Sequence, residues 1–223
     1  MKEAIGAVLA FAVGVGVSPI PLIAVILMLF TERSRVNGPL FLLGWVLGLS
    51  VVAGGAYLLA SAIGLGSDPE GTQGVAWAKL ALGVLLLAAA ARKWRTRPRA
   101  GDEEEMPAWM AKVDTFGPAK AFGLAAALSA NPKNLLLAAG AGSSLAHLDL
   151  ASTEVVVALA AFVVIGSLAV AVTVGYDVVG GARARRSLDA LKAWLALHNA
   201  AVLAVLYLVF GAVLIAQALD PRT

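Results

Sequence analysis

Six apolar stretches, separated by polar or glycine-rich connections, run along the chain at about residues 4–30, 38–64, 75–91, 118–145, 153–176 and 194–219. A helix needs about 20 apolar residues to cross the hydrocarbon core of a bilayer, and five of the six runs reach that length. The third is shorter. Isolated strands would leave backbone polar groups without partners in lipid, so even the valine-rich fifth run reads as helix. The pattern predicts an all-α polytopic membrane protein with six transmembrane helices. The first run follows Met1-Lys2-Glu3 and continues to Phe30 without a small-x-small cleavage site, so it reads as a retained helix rather than a secretory signal.

Two of these runs are interrupted. Ser18-Pro19-Ile20-Pro21 lies inside the first and Asn131-Pro132-Lys133-Asn134 inside the fourth, with Asn131 113 residues beyond Ser18. Proline removes a backbone hydrogen bond and frees a carbonyl about one turn upstream, and in hydrocarbon that break must be re-satisfied by protein groups or water. Interrupted helices in corresponding positions of two halves point to a transporter with its site at the breaks. Proline kinks without function are ordinary in membrane helices. Lys133 weighs against that bland reading, because a lysine at a helix centre costs roughly 2.5 to 3.5 kcal/mol on insertion scales. Its alternatives are snorkelling to an interface or closing a helix end electrostatically.

Composition agrees with the pattern. Of 223 residues, 60% are hydrophobic and 14% charged, which excludes an ordinary soluble domain. The connections after the first, third and fifth helices hold 13 of the 17 Lys and Arg residues, so these connections are expected to be cytoplasmic and both termini outside. The bilayer itself thus accounts for the basic balance, and no nucleic-acid partner is expected. Three helices per half also require the fourth helix to run opposite to the first. The expectation is therefore an inverted 3+3 repeat with broken helices 1 and 4: a first half at 1–91, a charged cytoplasmic linker at 92–117 and a second half at 118–223. Arg92, Lys93, Arg95, Arg97 and Arg99 in that linker suit an anionic lipid surface. Gly44, Gly48, Gly54 and Gly55 in the second helix are expected to serve close packing, and other lipid-facing glycines leave room for a homodimer.

With six helices, a proline break in the first, Asn131-Pro132-Lys133-Asn134 in the fourth and a charged linker, the chain resembles the lysine-exporter superfamily. Within it, the chain is most similar to the actinobacterial group called GAP or sulfolipid-addressing proteins. The resemblance covers essentially the whole chain and implies a small inner-membrane exporter. The amino-acid exporters of the superfamily carry a Pro-Gly-Pro type signature where this chain has Ser-Pro-Ile-Pro. The glycolipid-addressing members instead imply outward movement of a cell-envelope lipid.

The candidate substrate-binding residues are Ser18, Pro19, Pro21, Ser129, Asn131, Pro132, Lys133 and Asn134. Backbone N–H groups at the start of a half-helix favour an anion, Lys133 adds a point charge, and the amides and hydroxyls can orient a headgroup. An anionic or amphiphilic solute is the expected substrate, with an amino-acid-like solute or a non-transporting role in a lipid-export machine as alternatives. His198, Asn199 and Asp177 are the gating candidates, His198 because imidazole titrates near neutrality and otherwise as an interfacial anchor. Asp177 is expected at the end of helix 5, and His198 and Asn199 about one turn into helix 6. No carboxylate falls deep in a predicted helix. There is no cysteine, no metal-binding pattern and no nucleophile motif, so neither a cofactor nor an enzymatic activity is expected.

Overall fold

The structure, a computed structural model, describes residues 1–62, 69–97, 113, 115–148 and 150–219. Among these residues the regular elements are all helical: α1 (Lys2–Gly16), α2 (Pro19–Leu29), α3 (Ser34–Ala62), α4 (Pro69–Arg95), α5 (Pro118–Ser129), α6 (Pro132–Ala146) and a last continuous stretch, Ser152–Leu219. That stretch is kinked at Gly181 into two long spans, α7 (Ser152–Gly181) and α8 (Arg183–Ala216). Of the predicted linker at 92–117, residues 98–112 and 114, Arg99 among them, lie outside the described residues.

The two breaks fall where the prolines place them. α1 and α2 are bent by 53° across Val17-Ser18, and α5 and α6 are separated by Ala130-Asn131. Each downstream half-helix starts with proline at its first position, where the missing N–H costs nothing, after an extended N-cap residue, Ser18 or Asn131. These two caps are the pair separated by 113 residues.

Among the described residues, three to four spans are defined by length and hydropathy. Three helices, α3, α7 and α8, are long and apolar enough to cross a membrane, and the bent pair α1–α2 makes a fourth. α4 and the α5–α6 pair fall outside that count. α4 is polar at its start, with Glu70, Thr72 and Gln73, and apolar from Leu80 to Ala91. α5 and α6, with 12 and 15 residues, are each about 20 Å long, short of the roughly 30 Å hydrocarbon core.

The expected loop at 177–193 is also corrected: apart from the kink it is helix, so α8 begins at Arg183. Its Leu188 packs on Ile26 and Leu29 of α2, which explains why a charged segment stays helical. Asp177 accordingly lies one turn before the kink, within reach of Arg185, whose Nε is 3.7 Å from the carboxylate. His198 and Asn199 lie about four turns into α8 rather than one.

Contacts fix the relative directions. Gly44 and Gly48 of α3 meet the backbone of Phe122 and Ala126 of α5, so these helices run parallel and a Cβ at Gly44 would enter the Phe122 carbonyl. Gly54 and Gly55 have open space beside them, so only half of the predicted glycine face is a packing seam. Gly83 of α4 and Gly211 of α8 approach reciprocally in an antiparallel pair. α1 runs parallel to α7: Gly16 lies against the Ile165 carbonyl, and the Met1 ammonium pairs with Glu154 at their starts.

The same directions sort the connections into two ends. At one, Arg185 Nη2 donates to Ser34 Oγ (3.3 Å) and Asn37 Nδ2 donates to the Phe116 carbonyl (3.0 Å), which gathers the starts of α3, α5 and α8. At the other lie Met1 and the start of α7. Trp45, Phe11, Phe41 and Phe162 fill the core between α1, α3 and α7, and the Trp45 indole N–H donates to the Gly166 carbonyl (3.4 Å).

Gly181 has φ 54° and ψ −134°, backbone that only glycine adopts without strain. Gly181→Ala is therefore predicted to lower stability in thermal unfolding of the detergent-solubilised protein by about 1 to 3 kcal/mol. Gly175→Ala, in regular helix with open space around it, should leave stability unchanged or raise it.

Candidate functional site

Each break frees the last carbonyls of one half-helix and the first N–H groups of the next. At the end of α1 the Val13 carbonyl accepts from Val17 N–H (3.0 Å) and the Val15 carbonyl from Ser18 Oγ (2.7 Å). The Gly14 carbonyl is reached from the other half of the chain: Lys133 Nζ donates to it at 2.7 Å and to Ser18 Oγ at 2.5 Å. The second break is satisfied locally. Ser129 Oγ donates to the Ala126 carbonyl (2.7 Å), Asn131 Nδ2 to the Leu128 carbonyl (2.7 Å), and Asn131 Oδ1 accepts from Asn134 N–H (2.9 Å). Asn134 Nδ2 adds a longer bond to the Leu128 carbonyl (3.4 Å).

Lys133 occupies the second position of α6, where its own helix dipole disfavours a cation. The carboxyl end of α1, with its partial negative charge, offsets that. Its recorded partners are a carbonyl and a hydroxyl, and none of the ion pairs among the described residues includes it. An ammonium has three N–H donors, so one remains for a ligand.

The helix starts contribute less to anion binding than the sequence suggests. Pro19, Pro21 and Pro132 have no N–H, Leu22 N–H bonds to the Ser18 carbonyl and Asn134 N–H is capped. Only the backbone N–H groups of Ile20 and Lys133 are left in the two first turns. Positive charge at the site therefore rests on one side chain.

A cavity of about 210 Å³ lies between the breaks. Ser18, Pro19, Pro21, Asn131, Pro132 and Lys133 line it, so six of the eight candidate binding residues come together. Ser129 and Asn134 do not line it; both are fully buried, spent on the backbone of the break. Asn134 Oδ1 has no hydrogen-bond partner. The fourth wall is α8, through Leu203 and Tyr207, which sequence reasoning missed. Their signal was the i, i+4 stripe Leu195, Asn199, Leu203, Tyr207, whose first member packs on Ile23 of α2.

The gating candidates divide among three places. Asn199 lies on that stripe, with Oδ1 buried and unpartnered. His198 points to a different face, stacked on Trp194 with ring centroids 4.6 Å apart and Nδ1 2.8 Å from the Trp194 carbonyl. Asp177 is held beside the Gly181 kink by Arg185. Among the described residues no three His, Asp or Glu side chains gather as a metal site, and none lines the cavity.

These features define a class: a multi-helix membrane protein in which two broken helices meet around a small cavity containing one lysine. A family model described as "Sap, sulfolipid-1-addressing protein" matches residues 8–220, and the chain belongs to that family, SfLAP. Neither the curated proteins nor the solved structures contain a match.

Lys133→Met leaves the Gly14 carbonyl without its partner and is predicted to cost about 1 to 3 kcal/mol. In a double-mutant cycle with Ser18→Ala, thermal unfolding should show a coupling of roughly 0.5 to 3 kcal/mol. Additive effects would mean that the two breaks do not touch.

Proposed function

We propose that the chain is an inner-membrane transporter that binds an anionic or amphiphilic solute between its two broken helices and exports it by alternating access. Lys133 carries this reading: it is the one charged side chain on the cavity, half-buried, and bonded to a carbonyl and a hydroxyl. A ligand anion completes its coordination. The family's description speaks of addressing a sulfolipid, an acidic headgroup on acyl chains, which is the charge type that a lone ammonium favours. A cell-envelope lipid is therefore the preferred substrate class.

In this reading α4 and the α5–α6 pair also cross the bilayer, giving six spans in an inverted 3+3 arrangement. The parallel pairs α1–α7 and α3–α5, each joining the two halves, and the antiparallel pair α4–α8 support it. Both termini are outside, because the basic connections gather at the end opposite Met1. The halves rock about the shared break, with Lys133 passing between helix-end carbonyls and the headgroup. A second copy covers the glycines facing lipid.

Mass spectrometry of lipids retained by protein purified in native-like lipid tests the reading, with wild type compared with Lys133→Ala and Lys133→Gln. The glutamine amide keeps donors for the Gly14 and Ser18 oxygens while removing the charge. Wild type is predicted to retain an acidic lipid or lipid-linked sugar that both variants lose. Retention unchanged by either substitution would rule out Lys133 as the headgroup site, and bulk lipid alone would favour a small solute or a non-transporting role.

A further inference from the structure

Opposite the break, on the other side of α8, lies a second and larger cavity of about 500 Å³. Leu87, Ala91 and Trp94 of α4 face Ala204, Val205 and Leu208 of α8 across it. It is apolar throughout and none of the candidate binding residues lines it. We propose that this groove binds one acyl chain of an anionic phospholipid whose headgroup sits on the basic end of α4, a structural lipid site separate from the transport cavity.

The case for this occupant rests on charge at one end of the groove. Arg92, Lys93 and Arg95 form the last turn of α4 and Arg97 follows it, and none of the four has an ion-pair partner among the described residues. Arg95 comes one turn after Ala91, so it continues the groove-lining stripe of α4. Arg97 is anchored to the groove directly, its guanidinium carbon 3.8 Å from the centre of the Trp94 ring. Stacking fixes the guanidinium plane while leaving its N–H edge to donate to phosphate oxygens.

An aromatic side chain marks this end. Trp94 is half exposed, whereas the exposed Trp194 lies about 15 Å further along α8, beyond the groove. Tryptophans concentrate at headgroup level, and basic pockets between membrane helices hold acidic headgroups. A lipid with its phosphate at Arg95 and Arg97 would run its chain past Trp94 and Ala91 towards Leu87, where the Gly83–Gly211 contact closes the groove. The site narrows the lipid-surface role expected of the linker's basic run to one headgroup at Arg95 and Arg97.

Full-length protein in nanodiscs of phosphatidylcholine containing phosphatidylglycerol provides the test, with retained lipid counted by native mass spectrometry. Wild type should hold phosphatidylglycerol in preference to phosphatidylcholine, and the double variant Arg95→Gln/Arg97→Gln should reduce that preference by roughly thirtyfold. Ala91→Phe fills the groove, keeps every charge and substitutes an exposed position, so it should also abolish retention while the protein stays folded. No preference in wild type, or a preference surviving the double variant, overturns the site. Loss in the double variant with full retention in Ala91→Phe overturns the groove and leaves surface adsorption only. Lys133→Gln should leave phosphatidylglycerol retention intact, which separates this site from the transport cavity.

Discussion

The fold depends on how two helix breaks inside an apolar bundle satisfy their backbone groups. A carbonyl freed by proline has no water to turn to in hydrocarbon, so a partner must be built in. The second break is self-contained, because Ser129 and Asn131 turn back onto the end of α5 and Asn131 caps α6. The first is not: Ser18 and Val17 cover two carbonyls, and Gly14 is left for Lys133. One lysine therefore closes the backbone of the opposite half. It also explains how a costly charge is tolerated there, since a helix carboxyl end supplies the negative pole that no carboxylate provides.

That arrangement gives the site its chemistry. Proline at the start of α2 and α6 makes sharp breaks but removes backbone N–H donors there, so the positive charge on the cavity rests on the Lys133 ammonium, with α8 as a further wall. This helix has two working faces. Asn199, Leu203 and Tyr207 look towards the break, while Ala204, Val205 and Leu208 close an apolar groove against α4. A single rigid element thus separates a small cavity with one charge from a larger one with none, and motion of α8 would be felt by both.

Much of this was legible in the sequence. Ser18-Pro19 and Asn131-Pro132 announced both breaks, because an N-cap followed by proline allows few other conformations, and the connections gather at two ends as charge counting required. The kinked continuity of α7 and α8 was not legible: residues 177–193 read as a polar loop, whereas Ala184 and Leu188 are buried, Leu188 on α2, and Lys192 pairs with Asp189 along the helix. Ser129 and Asn134 do not line the cavity, for a related reason. Their amides and hydroxyls look available in a string of letters, yet the nearest unsatisfied groups are carbonyls of their own break. Tyr207 went unnoticed because nothing local distinguishes it from other apolar-face aromatics.

The protein has no cysteine, so one placed in the break reports on access without interference. Ile20→Cys lines the cavity between the breaks, and Leu43→Cys on the exposed face of α3 serves as a lipid-facing control. Labelling by a membrane-impermeant thiol reagent, in right-side-out and in inverted vesicles, measures directly whether the cavity opens to both sides. Alternating access around the Lys133 site predicts that position 20 is modified from both sides while position 43 is modified from neither. Modification of position 20 from one side only, or from neither, would contradict the account.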